Sequence, residues 1–197
     1  MKKITKSILL MLIAFVMLFT LAGCGKNESN DGKSNDNNEK KVEQKESKDA
    51  VVFDYINKIK GTETLEEVNQ MIGSEGEKGS EGKGWTTYEW KISDDTKFSA
   101  TFYETSKTCE AKITFKDDLI KNDKVDFSKY NEIKSALNKS ETVTYDQVKE
   151  KFGGVDGTLT SSGSSSKTYR WVNSKGGYLS ASFSTNSGKC TFIMGRI

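Results

Sequence analysis

The sequence predicts an α+β fold built as two tandem repeats, each a helix-loop-helix followed by a three- to four-stranded antiparallel meander. Three observations predict it. An ordered set of local signals occurs twice, with an offset that settles at 81 residues over the second half of the unit. Each copy opens a helix with a capping box, and each continues into segments that alternate apolar and polar residues as strands do. The two meanders are expected to join into one curved sheet with the helices on one face, repeat 1 spanning 51–120 and repeat 2 spanning 121–197.

Ahead of the repeats lies a segment of another kind. Lys2, Lys3 and Lys6 precede an apolar run from Ile8 to Ala22 broken only by Thr20, the layout of an export signal. The run ends in Leu21-Ala22-Gly23-Cys24, where the small Ala22 and Gly23 let a peptidase reach the backbone beside Cys24. This box resembles that of bacterial lipoproteins, in which the cysteine thiol receives a diacylglycerol, the chain is cut between the residues corresponding to Gly23 and Cys24, and the new amino terminus takes an acyl chain such as palmitate. Leu9 to Leu21 is short for a spanning helix, which needs about 20 apolar residues. The expectation is a signal peptide over 1–23 and a lipidated Cys24, with the lipid bilayer as first partner. The mature chain then sits on the extracytoplasmic face of the cell membrane, held by more than one acyl chain.

Between Gly25 and Ala50 only Val42 and Ala50 are apolar, so this segment cannot offset its ordering entropy and is read as a polar tether completing 24–50. Its expected span is roughly 25 to 30 Å.

Charge and composition exclude several classes of function. Without the signal's lysines the chain has 27 basic and 28 acidic residues, and residues 51–197 hold 21 of each. Such a balance supplies no field for nucleic acid, so none is expected as a partner. The chain contains no histidine, the commonest general base and metal ligand. Serine–histidine and cysteine–histidine hydrolysis are thereby excluded. Cysteines and carboxylates do not cluster, so neither a metal nor a cofactor is expected, and the reading is non-enzymatic.

Each element of the repeat has its own signal. Phe53, Ile56 and Ile59 recur as Phe127, Tyr130 and Ile133 at the spacing of a helix face. Thr64 with Glu67, and Thr144 with Gln147, are capping boxes that open a second helix. Leu65, Val68 and Ile72, and likewise Tyr145, Val148 and Phe152, line its inner face, while Gly73 and Gly153 suit the left-handed residue that ends it. In the strands Tyr88, Trp90 and Ile92, then Phe98, Ala100 and Phe102, then Cys109, Ala111, Ile113 and Phe115 share one face. Repeat 2 matches them with Tyr169 and Trp171, Leu179, Ala181 and Phe183, and Cys190, Phe192 and Met194, assigned to the core. Thr191 and Ile193 fall on the opposite, open face. A further strand is expected at Thr158 to Ser162, whereas the Gly, Ser, Glu and Lys run from Gly73 to Gly84 predicts that its counterpart is lost or frayed.

Two motifs fail as chemistry. The glycine run lacks the phosphate loop's first glycine, has Gly84 where Ser or Thr is required, and precedes a strand rather than a helix. Ser164-Ser165-Ser166-Lys167 has the Ser-x-x-Lys spacing of penicillin-interacting enzymes, but it lies in a hairpin loop and its companion motifs are missing. Cys109 and Cys190 leave two readings open. As an even pair outside the cytoplasm they could form a disulfide closing a loop of about 80 residues and contributing roughly 4 kcal/mol; as core-face residues they could be small apolar fillers.

With its capped helix, Gly-Gly turn, Tyr-x-Trp strand and two further strands, the part from Val51 to Ile197 resembles the tandem-repeat β-lactamase inhibitory protein family and its lipoprotein relatives. Thr144 to Gly154 and Thr168-Tyr169-Arg170-Trp171 carry the likeness. The resemblance implies two sheets joined into one concave surface that grips a protein, with an envelope or secreted enzyme of the β-lactamase kind as the implied partner. Outer-membrane assembly lipoproteins contain a similar small unit, so an envelope scaffold is the alternative. Strand alternation marks Tyr103, Glu89, Lys91, Arg170 and Val172 as contact residues on the open face, with Lys83 and Lys167 at loop ends.

Overall fold

Thr64 and Thr144 each begin a helix by the reciprocal bonding expected of them. The Glu67 amide donates to the Thr64 hydroxyl at 3.3 Å while the Glu67 carboxylate accepts from the Thr64 amide at 2.8 Å. Gln147 and Thr144 repeat this at 3.4 and 2.9 Å. Gly73 and Gly153 follow in the left-handed region, at φ of 82° and 86°. These boxes open α2 (Leu65–Ile72) and α4 (Tyr145–Lys151), which follow α1 (Val51–Lys58) and α3 (Tyr130–Asn138). The computed structural model describes residues 49–197; the expected signal segment with Gly23, the expected lipidation site Cys24 and the expected tether up to Lys48 lie outside them. Among the described residues no helix is long and apolar enough to cross a membrane.

The strands are β1 (Glu77–Gly82), β2 (Trp85–Lys91), β3 (Lys97–Tyr103), β4 (Thr108–Thr114), β5 (Lys121–Asn122), β6 (Thr158–Gly163), β7 (Ser166–Asn173), β8 (Tyr178–Ser184) and β9 (Cys190–Arg196). They form one sheet in the order β1-β2-β3-β4-β6-β7-β8-β9, antiparallel throughout except for the two-residue β5, which runs parallel to the end of β7. Helix, helix and four strands thus occur twice along the chain, joined by a 3-10 turn (Asp117–Ile120) and β5.

The halves meet where Glu110, Ala111 and Lys112 of β4 face Gly163, Ser162 and Ser161 of β6. Ser162 is fully buried there, and its hydroxyl donates to the Ile59 carbonyl at 2.9 Å. Burying a hydroxyl is favourable only with such a partner. The Cys109 amide donates to the Gly61 carbonyl at 2.9 Å, so the loop after α1 lies across both strands. Gly61 permits this approach: its φ is +94°, and a Cβ would stand 2.2 Å from the Ser164 amide nitrogen.

Each half has its own apolar cluster. Val52, Ile56, Val68, Trp90, Phe98 and Ala111 are central to the first, and Ile133, Val148, Phe152, Trp171, Leu179 and Ala181 to the second. The Trp90 and Trp171 rings lie edge-on to Phe98 and Phe152 at 5.7 and 5.5 Å. Beneath the indoles sit Gly76 and Gly157, where a Cβ would lie 2.5 Å from Trp90 Cζ2 and 2.6 Å from Trp171 Cζ2. Backbone and ring touch directly there.

Two strands differ from expectation. The glycine run is not lost or frayed; Glu77 to Gly82 pair with β2 as a fully exposed edge strand with a bulge between Lys78 and Glu81. Two of its glycines are steric requirements: Gly76 supports Trp90, and a Cβ at Gly82 would strike the Trp85 indole at 2.4 Å. In β9 a bulge opposite Ser182 and Phe183 reverses the alternation. Phe192 and Met194, assigned to the core from sequence, are 54 % and 49 % exposed, whereas Ile193 packs into the second cluster. Gly195 explains the reversal. It pairs with Leu179, and a Cβ there would lie 2.2 Å from the Tyr178 carbonyl and 2.4 Å from Leu179 Cδ2, so the inward positions are 193 and 195.

Gly157→Ala is expected to destabilise the fold by about 1 to 3 kcal/mol through overpacking against Trp171. Gly79→Ala, whose Cβ would meet nothing nearer than 3.5 Å, should stay within about 0.5 kcal/mol of the parent. Denaturant midpoints measure both.

Candidate functional site

Outward-facing positions of β4, β6, β7, β8 and β9 surround an open trough of about 520 Å³ at the junction of the halves, lined by Glu110, Lys112, Ser161, Thr168, Arg170, Ser180 and Met194 among others. Cross-strand hydroxyl pairs floor this face: Thr87 with Thr101, and Thr168 with Ser182, both at 2.8 Å. Phe192 faces Ser182 and Met194 faces Ser180, so the two apolar side chains of β9 stand at the trough's flank.

Arg170 is central and already engaged. Its Nε and Nη2 donate to the two carboxylate oxygens of Asp117 at 2.8 Å each, its Nη1 donates to Ser180 Oγ at 3.3 Å, and its guanidinium lies 3.9 Å from the Tyr178 ring centroid. A bidentate, stacked arginine is a rigid fixture of the face. Val172, expected as a contact residue, is fully buried, its backbone paired with Lys121 of β5. The linker between the halves occupies this end of the face, which alternation within one strand does not reveal.

The other expected contacts are scattered. Glu89 is paired with Lys97 at 2.8 Å and Lys91 with Asp94 at 2.7 Å, all exposed to solvent that screens them. Tyr103, 37 % exposed, faces Trp85 across β3 and β2 at the far end of the same face, and the exposed Lys83 lies in the turn beside it. Lys167 belongs elsewhere: it pairs with Phe183 on the side of the sheet that carries Tyr169 and Trp171, in a separate trough with Lys58, Lys60 and Ser164. The structure therefore places Arg170 in the trough and Glu89, Lys91 and Tyr103 along its face, and removes Val172 and Lys167 from the set. Sequence reading missed Trp85, Phe192 and Met194. Alternation from Glu89 back to residue 85 marks Trp85, and Gly195 opposite Leu179 is the signal for the other two.

The remaining motifs have structural roles. Ser164 lies in the turn that opens β7, and its carbonyl accepts from the Thr185 hydroxyl at 2.6 Å. Among the described residues no group of three or more acidic or cysteine side chains could hold a metal ion. Cys109 and Cys190 are free thiols, buried in separate clusters. Four strand steps separate β4 from β9, about 19 Å, far beyond the roughly 7 Å that a disulfide can bridge. Burial pushes the Cys109 thiol up to about 12, helped by the nearby Glu63 and Glu110 carboxylates, and burial also raises Cys190.

No family model matches the chain, no curated protein is similar to it in sequence, and no solved structure matches its fold.

A thiol reagent at pH near 8 should label neither Cys109 nor Cys190 in the folded protein and both after denaturation; rapid native labelling would contradict the burial. The folded state holds the Cys109 proton more tightly than the unfolded chain. That contribution to stability is present below pH about 8.5 and lost as pH rises towards about 12.

Proposed function

We propose that this chain is a membrane-anchored extracytoplasmic lipoprotein acting as a non-catalytic protein-binding module, and that the open face of its sheet is the binding surface. The observation that carries the reading is the β9 bulge, which turns Phe192 and Met194 outward beside the hydroxyl-lined trough and the Arg170–Tyr178 stack. Exposed large apolar side chains beside a rigid arginine and an aromatic ring are the composition of interface hot spots. Covering what remains exposed of one such half-buried side chain removes apolar area worth about 0.8 to 1.5 kcal/mol.

The architecture is read as two tandem repeats with helices on one face of a shared, curved sheet. Capping boxes 80 residues apart, with glycine–tryptophan contacts and hydroxyl pairs that match at an offset of 81, support the duplication. Packing of α1 against β3, β4 and β6 supports the layering. This arrangement is the one implied by the resemblance to the β-lactamase inhibitory protein family, and an envelope or secreted enzyme is the partner class it favours.

Anchoring rests on Leu21 to Cys24. An acylated Cys24 at the head of a polar tether confines the binding face to the membrane surface and raises its effective concentration against neighbours there.

The mature chain immobilised as bait should recover an envelope or secreted protein, and Phe192→Ser with Met194→Ser should lower recovery about tenfold while leaving the amide spectrum intact. A recovered enzyme should lose turnover when the mature chain is added. Recovery of membrane assembly components would favour the scaffold reading, and equal recovery by the double variant would overturn the assigned surface.

A further inference from the structure

A cavity of about 350 Å³ opens between the start of α2 and strands β2 and β3, with Thr64, Leu65, Thr86, Tyr88, Phe102 and Thr108 among its walls. The second half shows what fills the corresponding place. Tyr145, the first residue of α4, lays its ring 4.6 Å from Tyr169, 5.6 Å from Phe183 and 6.0 Å from Trp171, centroid to centroid. Its hydroxyl accepts from the Gly157 amide and donates to Asp156, each at 3.1 Å.

In the first half the aromatic walls of that slot are kept and the ring is gone. Tyr88, Trp90 and Phe102 stand 81 residues before Tyr169, Trp171 and Phe183, and Gly76 stands 81 before Gly157. At the position of Tyr145, directly after the capping threonine, the chain has Leu65. The polar part of the tyrosine is replaced by another residue: Asn69 Oδ1 accepts from the Gly76 amide at 2.9 Å and from Trp90 Nε1 at 3.2 Å. The backbone donor is therefore satisfied, and what the first half lacks is the volume of one flat ring. Tyr88 and Phe102 stay half-buried and edge-to-face at 6.0 Å, with one side of the slot open.

We propose that this cavity is a binding site for a small molecule carrying a single aromatic ring of the phenol class. Its volume lies within the roughly 300 to 1,000 Å³ of ligand sites, and its walls pair aromatic faces with a few polar groups. Thr86, with Glu104 and Lys107 also in the lining, suits a ring bearing a hydroxyl or similar polar substituent, while the Thr64 and Thr108 hydroxyls already bond to Glu67 and Ser106. The chain's own tether cannot supply the ring, because residues 25–48 contain no aromatic residue. Tyr88 and Phe102 alternate away from the open face, so the ring slot lies on the other side of the sheet, with Tyr103 of the open face also among the residues lining the cavity.

Titrating the mature chain, made without its lipid, with p-cresol tests the site through its amide spectrum. Saturable shifts are expected at Thr86, Tyr88, Phe102 and the first turn of α2, with 4-methylcyclohexanol, of similar size but without an aromatic ring, binding about tenfold more weakly. Leu65→Tyr and the smaller Leu65→Phe place the chain's own ring in the slot, and either variant that keeps a dispersed spectrum should lose the shifts. The proposal is overturned by the absence of saturable shifts at about 10 mM p-cresol, by equal binding of the saturated alcohol, or by binding unchanged in a folded ring-filling variant.

Discussion

The pairing of β4 with β6 is the constraint on which the rest of this structure depends, because among the described residues it is the one strand contact that joins the two four-stranded halves. Three residue pairs hold it, few for such a role. What makes them sufficient is the buried Ser162 hydroxyl bonded to the Ile59 carbonyl and the Ser161 hydroxyl donating to the Ala111 carbonyl, both at 2.9 Å. The first bond ties the loop after α1 of one half to a strand of the other. An apolar residue at 162 would leave the Ile59 carbonyl without this partner, the costly case for a buried acceptor.

From that junction follows a sheet with two ends of different character. At one end β1 carries Glu77, Lys78 and Glu81 with two glycines and a bulge, the features that discourage an edge strand from pairing with a foreign one. At the other, β9 has an uncharged run from Cys190 to Gly195 and turns Phe192 and Met194 into solvent. The same half has filled its aromatic slot with Tyr145, while the first half has left its slot open at Leu65. The two halves thus differ: the second exposes apolar side chains on the open face, and the first has a cavity on the opposite side.

Much of this was legible in the sequence. The α+β class, the capping boxes, the glycine helix ends and the inward set from Tyr88 to Ile113 depend on interactions within a few residues, which local patterns report directly. The errors arise where a distant contact decides. Gly195 must sit against Leu179, so β9 slips by one and exchanges Phe192 for Ile193; Trp90 and Trp85 need bare backbone beside them, so a glycine run of poor strand propensity becomes a strand. Val172 reads as outward-facing and is buried because the linker strand β5 returns to pair there, and the cysteines are equivalent in sequence but lie four strands apart. Arg170, Tyr103, Glu89 and Lys91 were found by alternation alone, and alternation cannot report that Asp117 already holds Arg170.

Joined through β4 and β6, the two halves should behave as one body. Amide hydrogen exchange measured strand by strand against denaturant is the direct measurement. The core amides of β3, β4, β6 and β7 should converge on a single opening free energy and be lost in one transition. Exchange of β6 to β9 through an opening that leaves β1 to β4 protected, or the reverse, would contradict it.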